Sequence, residues 1–84
     1  MKFTAKVHVT LKKTVNDPQG QTVFSGLQSL GFRSVEDVRI GKYIEISLKT
    51  ESEADGEEQI RRMCEQLLAN PIIEDFHYQL STNP

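Results

Sequence analysis

The segment LLANPIIED, residues 67–75, decides the fold because it holds the end of one helix and the start of one strand. Asn70 and Pro71 stop the helix, since proline cannot continue it. After them Phe76, Tyr78 and Leu80 alternate with polar residues, which is typical of a strand with one buried face. We therefore predict a helix over residues 53–69 and a strand over residues 72–80.

The predicted helix over 53–69 carries an apolar stripe. Acidic residues crowd its first turn, where the positive end of the helix dipole favours them. The apolar residues recur at i, i+3, i+4, i+7 and i+8, which is the spacing of one face of an amphipathic helix. They are Ile60, Met63, Cys64, Leu67 and Leu68.

The N-terminal residues 2–14 alternate between apolar and polar side chains, which predicts a long strand with one buried face. A strand of this length exceeds the usual five or six residues. Part of it is therefore expected to pair outside the monomer. The residues expected on the buried face are Phe3, Ala5, Val7, Val9 and Leu11.

A first helix is predicted after this strand, from Pro18 to residue 30. Asp17 can accept hydrogen bonds from the free amides at the helix start, and Pro18 suits the first helical position. Gly31 closes the helix as a left-handed cap. Gly20 lies on the apolar face, which favours the close approach of another backbone there. The apolar positions of this helix are Val23, Leu27 and Leu30.

A hairpin is predicted next, in which Val38 and Ile40 lead into a type II′ turn at Gly41-Lys42, followed by a strand through Leu48. The element order is then strand–helix–strand–strand–helix–strand. This predicts an α+β, two-layer split βαβ fold (βαββαβ): a four-stranded antiparallel sheet with two helices on one face, dimerising through the sheet. Residues 1–80 are expected to form a single domain, and residues 81–84 a frayed tail.

Composition limits the classes of function. The chain has 84 residues, a net charge of −2 and 26% charged residues, so it lacks the basic field that attracts nucleic acid or an anionic membrane. Its core is small, which favours self-association. The single cysteine excludes an intrachain disulfide and favours a reducing compartment, and no apolar run reaches membrane-spanning length. We expect a cytoplasmic protein.

The titratable residues indicate neither a catalytic set nor a metal site. His8 and His77 lie far apart in the sequence, and neither has a second ligand at metal-binding spacing. Cys64 falls on the apolar stripe, as expected of a buried structural thiol. Glu74 and Asp75 would point to opposite faces of a strand. We therefore expect no catalytic residue, no bound cofactor and no metal.

Two functions of proteins with this topology are disfavoured, and a third stays open. An acylphosphatase needs an arginine in a phosphate-binding loop, but residues 14–20 are acidic and contain no arginine. An RNA-binding sheet needs paired aromatic residues on its open face, and the outward residues of the first strand are Lys, Thr and His. A stand-alone ferredoxin-like ligand-binding regulatory module remains an alternative, because such modules bind through loop backbone atoms.

Taken together, the helix joints resemble one family, the small PurS subunit of phosphoribosylformylglycinamidine synthase. The resemblance covers nearly the whole chain, and its elements hold their order and spacing. These elements are Asp17-Pro18-Gln19-Gly20, Leu30-Gly31-Phe32, Gly41-Lys42, Met63-Cys64 and residues 67–75.

The resemblance implies a non-catalytic subunit of a glutamine-dependent, ATP-consuming ligase in de novo purine biosynthesis. It implies bridging of a glutaminase subunit and a large synthase subunit, assistance in ammonia transfer, and self-association as a dimer or tetramer. ATP and Mg would be used by the large subunit, while this chain would bind no cofactor. The candidate partner-interface residues are Asp17, Gln19, Gly20, Gly41, Lys42, Asn70, Pro71 and Glu74.

Overall fold

The computed structural model describes residues 1–83 and shows one antiparallel sheet with two helical segments. The strands are β1 (Lys2–Leu11), β2 (Gly41–Lys49) and β3 (Glu74–Thr82). Helix α1 (Pro18–Ser29) lies between β1 and β2, and helix α2 (Glu53–Met63) continues into a π-helical turn over Cys64–Leu68. The sheet order is β2-β1-β3, so β1 is central and the other two strands form the edges.

The predicted α+β class is confirmed, but the predicted four-stranded sheet is wrong: the described residues form three strands. The predicted hairpin is also wrong, because Gly41 is the first residue of β2 and pairs with Thr10 of β1 instead of forming a turn. The segment before it forms no strand because carboxylates bind its amides. The Val38 amide donates to the Asp37 side chain, and the Ile40 amide donates to Asp17.

The core lies between the inner face of the sheet and α2. Four of the five predicted inward residues of β1 are confirmed as buried: Phe3, Ala5, Val7 and Val9 are at most 1% exposed, whereas Leu11, at the end of the strand, is only partly buried. Ile60 and Cys64 of the helical segment and the following Ala69 complete the core. Phe76, Tyr78 and Leu80 of β3 pack against it, as the alternation predicted.

The predicted stripe on the second helix is wrong at Leu67, which is 84% exposed. The cause is the π-helical turn, in which the Ala69 amide donates to the Cys64 carbonyl. A π turn places one more residue in the turn than an α-helix does. The side chains after Cys64 are therefore rotated about the helix axis relative to those before it. As a result Leu67 points away from the core that contains Ile60 and Cys64.

Helix α1 does not lie on the sheet, which corrects the prediction of two helices on one face. It packs against the segment that follows it: Gly20 is buried against the Val38 carbonyl, and the Gln28 side chain donates to the Val35 carbonyl. The chain measures 51 × 30 × 14 Å and has a radius of gyration of 16.4 Å. A compact domain of this length has a radius of gyration of about 12 Å, so the fold is flat and extended.

The C-terminal residues are more ordered than predicted. Ser81 and Thr82 belong to β3, and the Asn83 amide donates to the Lys2 carbonyl at 2.9 Å. The predicted fraying is therefore wrong for residues 81–83, and Pro84 lies outside the described residues. Over residues 1–83, no helix has the length and apolar character needed to cross a membrane.

Candidate partner-binding site

The joints between the elements converge on one cleft of about 270 Å³. Five of the eight predicted interface residues line it together with apolar residues of β1 and the Ile40 side chain. These five are Asp17, Gln19, Gly41, Lys42 and Glu74. The sequence placed them at three separate joints, and the pairing of β1 with both neighbours brings those joints to one end of the sheet.

Asp17 fixes one wall of the cleft. Its carboxylate accepts the Gly20 amide at 3.0 Å and the Ile40 amide at 2.8 Å, so it joins the start of α1 to the start of β2. The predicted helix cap is confirmed, and the bond from Ile40 adds a long-range role. Hydrogen bonds from Ile40 and Gly20, with the charge of Arg39 nearby, hold the pKa of the Asp17 carboxyl below its ordinary value.

Arg39 is a structural residue that the sequence analysis did not identify. Its guanidinium donates from Nη2 to the carbonyls of Lys12 and Val15, both at 2.9 Å. It therefore holds the loop between β1 and α1 against the segment that enters β2. No periodicity or spacing in the sequence marks an arginine for this role, because its partners are backbone carbonyls more than twenty residues away.

Glu74 lies on the opposite wall, and Asn70, which does not line the cleft, holds its side chain. The Asn70 amide donates to Glu74 Oε1 at 2.7 Å, and the Asn70 carbonyl accepts the amides of Ile73 and Glu74. The Asn70 side chain accepts the Ile72 amide at 3.1 Å, which makes residues 70–73 a tight turn. Pro71 sits exposed on this turn.

Lys42 lies between the two walls, and its ammonium group makes only long contacts. Its Nζ is 3.9 Å from Glu74 Oε2 and 3.5 Å from the Leu68 carbonyl, and the side chain is 58% exposed. A lysine has three N–H donors, and an exposed ion pair of this length adds little stability. Lys42 can therefore donate to an acceptor on another molecule without disturbing the fold.

Large apolar side chains are exposed on both sides of the Asn70–Pro71 joint. Leu67 is 84% exposed and Ile72 is 82% exposed. The π-helical turn turns Leu67 outward, and the bond between the Asn70 side chain and the Ile72 amide fixes the turn that carries Ile72. Exposed apolar residues beside charged groups such as Lys42 and Glu74 are typical of a protein-binding surface. We call Leu67, Pro71 and Ile72 the loop patch.

The titratable side chains of residues 1–83 form no group of three that could hold a metal. The Cys64 thiol is buried, and burial together with the charge of Glu65 raises its pKa, so it stays protonated and unreactive. The two histidines are close together, contrary to what their sequence separation suggested. His8 and His77 are register partners on β1 and β3, and their rings stack.

Comparison with known proteins identifies the family. Residues 4–82 match the family described as "PurS: Phosphoribosylformylglycinamidine (FGAM) synthase". The phosphoribosylformylglycinamidine synthase subunit PurS of Synechocystis is 46% identical over 79 residues, which cover 94% of this chain and 79% of the relative.

Solved structures agree. Methanocaldococcus jannaschii PurS, a subunit of formylglycinamide ribonucleotide amidotransferase in the purine biosynthetic pathway, superposes with a TM-score of 0.85 at 36% identity, covering 98% of this chain and 99% of that one. A chain in the structure of PurLQS from Thermotoga maritima gives a TM-score of 0.89 at 27% identity, covering 96% and 99%. The chain described here therefore belongs to the PurS family of phosphoribosylformylglycinamidine synthase subunits.

Proposed function

We propose that this chain is the small, non-catalytic subunit of a cytoplasmic phosphoribosylformylglycinamidine synthase in purine biosynthesis. In this proposal it bridges the glutaminase subunit and the ATP-dependent synthase subunit and assists ammonia transfer between them. The observation that carries the proposal is the match along nearly the whole chain to the PurS family, together with the likeness to a chain of the PurLQS structure. ATP and Mg belong to the large subunit in this scheme, and no cofactor is assigned to this chain.

The architecture supports a docking role. Five of the eight candidate interface residues line a cleft that lies near the exposed loop patch, and Cys64, the chain's only thiol, is buried. Ammonia released at one active site must be shielded from water to reach another, and an added subunit can enclose its path. Such a subunit needs a complementary surface and no reactive group of its own.

We further propose that the chain dimerises through the free edge of β2 and the apolar face of α1. Leu30 is 75% exposed and Phe32 is 56% exposed, both at the end of a helix that lies off the sheet. β2 is an edge strand of nine residues, and an unpaired edge of this length is a template for another strand. A second copy that covers both would also supply the fourth strand that the sequence pattern predicted.

Reconstitution tests the bridging proposal. The synthase and glutaminase subunits are assayed for glutamine-dependent product formation with and without this chain, and complex formation is followed by size-exclusion chromatography. We expect activity and co-elution to depend on the chain. Equal activity without it, combined with separate elution, would refute the proposal. Stabilisation of the isolated chain by amino acids or nucleotides in a thermal-shift screen would favour the regulatory-module alternative.

Sedimentation of the pure chain tests the dimer separately. Leu30→Ser removes an apolar side chain from both copies, and the burial of each is worth about 1.5–3 kcal/mol, so the dimer dissociation constant should rise by at least about a hundredfold. Leu67→Ser, in the loop patch, is the matched control and should leave the dimer unchanged. A wild-type chain that sediments as a monomer at all concentrations would refute the dimer without touching the bridging proposal.

A further inference from the structure

Three rings form a row across the open face of the sheet, the face that α2 does not cover. His8 on β1 lies between Tyr43 on β2 and His77 on β3, and the three residues are register partners. The imidazole rings of His8 and His77 stack with centroids 4.7 Å apart and planes 6° from parallel. The His8 and Tyr43 rings are tilted by 46°, with centroids 5.0 Å apart. Strand order thus brings together the chain's only two histidines, which come from opposite ends of the sequence.

Two imidazoles directly opposite each other on neighbouring strands form a chelating pair. Imidazole nitrogen is a preferred ligand of Zn²⁺, Cu²⁺ and Ni²⁺. A Zn²⁺ ion holds imidazole nitrogens at about 2.0–2.1 Å, so two ligand nitrogens lie at most about 4.2 Å apart. The ring centroids, 4.7 Å apart, are near this separation. The lone pair of each nitrogen lies in the plane of its ring, so both side chains must rotate out of the stack before one nitrogen of each can point at a shared ion.

The charges around the pair are balanced. The charged residues nearest to it on the same side of the sheet are Lys6 on β1, Glu45 on β2, Asp75 on β3 and Lys12, which donates to Asp75 at 2.7 Å. The two ammonium groups offset the two carboxylates, so the imidazole nitrogens themselves must supply the affinity for a metal ion. Glu45 accepts the Tyr43 hydroxyl and Asp75 accepts Lys12, so neither carboxylate needs to move for the histidines to bind a metal.

We propose that His8 and His77 together bind one late first-row divalent ion, Cu²⁺, Ni²⁺ or Zn²⁺, on the open face of the sheet. No third His, Cys, Asp or Glu within residues 1–83 completes the set, so water or a donor from another molecule fills the remaining positions. The two histidines lie on β1 and β3, not on the β2 edge or on α1. The proposal therefore does not depend on the dimer or on the bridging function.

The test uses the untagged full chain and paramagnetic Cu²⁺. Because the chain has two histidines, their ring protons give two assignable signals in a proton NMR spectrum. We expect both signals to broaden together at less than one equivalent of Cu²⁺. Calorimetry should show Cu²⁺ binding more tightly than Ni²⁺ or Zn²⁺. Broadening of one histidine alone, or of neither, would overturn the proposal.

Single substitutions supply the second measurement. His8→Gln and His77→Gln should each weaken metal binding by at least about tenfold, since loss of an outer-shell partner alone costs about 10–100-fold and each substitution removes a ligand itself. Tyr43→Phe is the matched control: it keeps a ring in the same row and should bind as the wild type does. Acid should release the ion, because protons compete for the same nitrogens. Affinity that survives both histidine substitutions, in variants with an unchanged circular dichroism spectrum, would overturn the proposal.

Discussion

The two glycines of helix α1 give opposite predictions for the same substitution. A Cβ atom added at Gly20 would lie 2.4 Å from the Val38 carbonyl oxygen and 2.7 Å from an oxygen of Asp17. A Cβ atom added at Gly26 would meet nothing within 4 Å. Gly20→Ala must therefore push the backbone of residue 38 away from the helix, whereas Gly26→Ala adds a methyl group in open space.

The sizes of the two effects follow from these contacts. Alanine is favoured over glycine in a helix interior by about 1 kcal/mol, so Gly26→Ala should stabilise the fold by about that much. Overpacking against a neighbouring backbone costs about 1–3 kcal/mol. At Gly20 it also displaces the carboxylate that holds Ile40, so the net change should be destabilising by about 2 kcal/mol. The two variants should differ by about 3 kcal/mol.

Urea unfolding measures this difference, and all variants are compared at one protein concentration because the proposed dimer would make apparent stability depend on concentration. Thermal melts provide a second readout, in which about 1 kcal/mol corresponds to a shift of 4–8 °C for a domain of this size. A Gly20→Ala variant as stable as the wild type would show that the segment around Val38 can move away from α1 at no cost in stability. The close approach of residue 38 to α1 would then not require a glycine at position 20.

Three further predictions concern the cleft and the loop patch. Because the pKa of Asp17 is lowered in the folded chain, its stabilising effect is complete above the ordinary aspartate pKa of about 3.9 and is lost as the pH falls further. Asp17→Asn should therefore be less stable than wild type at neutral pH. Urea unfolding should show that the difference in unfolding free energy between the two proteins becomes smaller in acid. Lys42→Ala should keep the wild-type melting temperature but bind the partner subunits about tenfold more weakly, whereas Lys49→Ala, at the other end of β2, should bind normally in the same assay. Leu67→Ser should leave stability unchanged and weaken co-elution with the partner subunits, and normal co-elution would remove the loop patch from the interface.

The sequence predicted best where one residue has one local physical task. The alternation over residues 2–11 predicts that one face of β1 is buried. The first four residues of that face, Phe3, Ala5, Val7 and Val9, are buried in the structure. Asp17 caps α1 as predicted, and Gly31 adopts a φ of 97° at the other end. There the amides of Gly31 and Phe32 donate to the carbonyls of Gln28 and Leu27. These are tasks that the neighbouring residues alone determine.

Prediction failed where a long-range contact decides the outcome. Ile40 fits a strand pattern, but its amide donates to the Asp17 carboxylate instead of to a neighbouring strand. Gly41 fits a turn, but it lies against β1, where an added Cβ atom would be 2.6 Å from the Val9 carbonyl oxygen. Leu67 fits a helical stripe until a π-helical turn displaces it. No window of the sequence contains both partners of such a contact, so periodicity could not reveal them.

The same long-range pairing explains why the candidate cleft could be named residue by residue but not located. Asp17, Lys42 and Glu74 are predicted at three separate joints of the chain, and β1 brings the three joints together because it pairs with both β2 and β3. In a three-stranded sheet, the segments that connect the strands to the helices lie at the ends and edges of the sheet, where other molecules can reach them. In a chain whose first helix also lies off the sheet, this geometry favours contacts with other molecules over enclosure of a site within the chain.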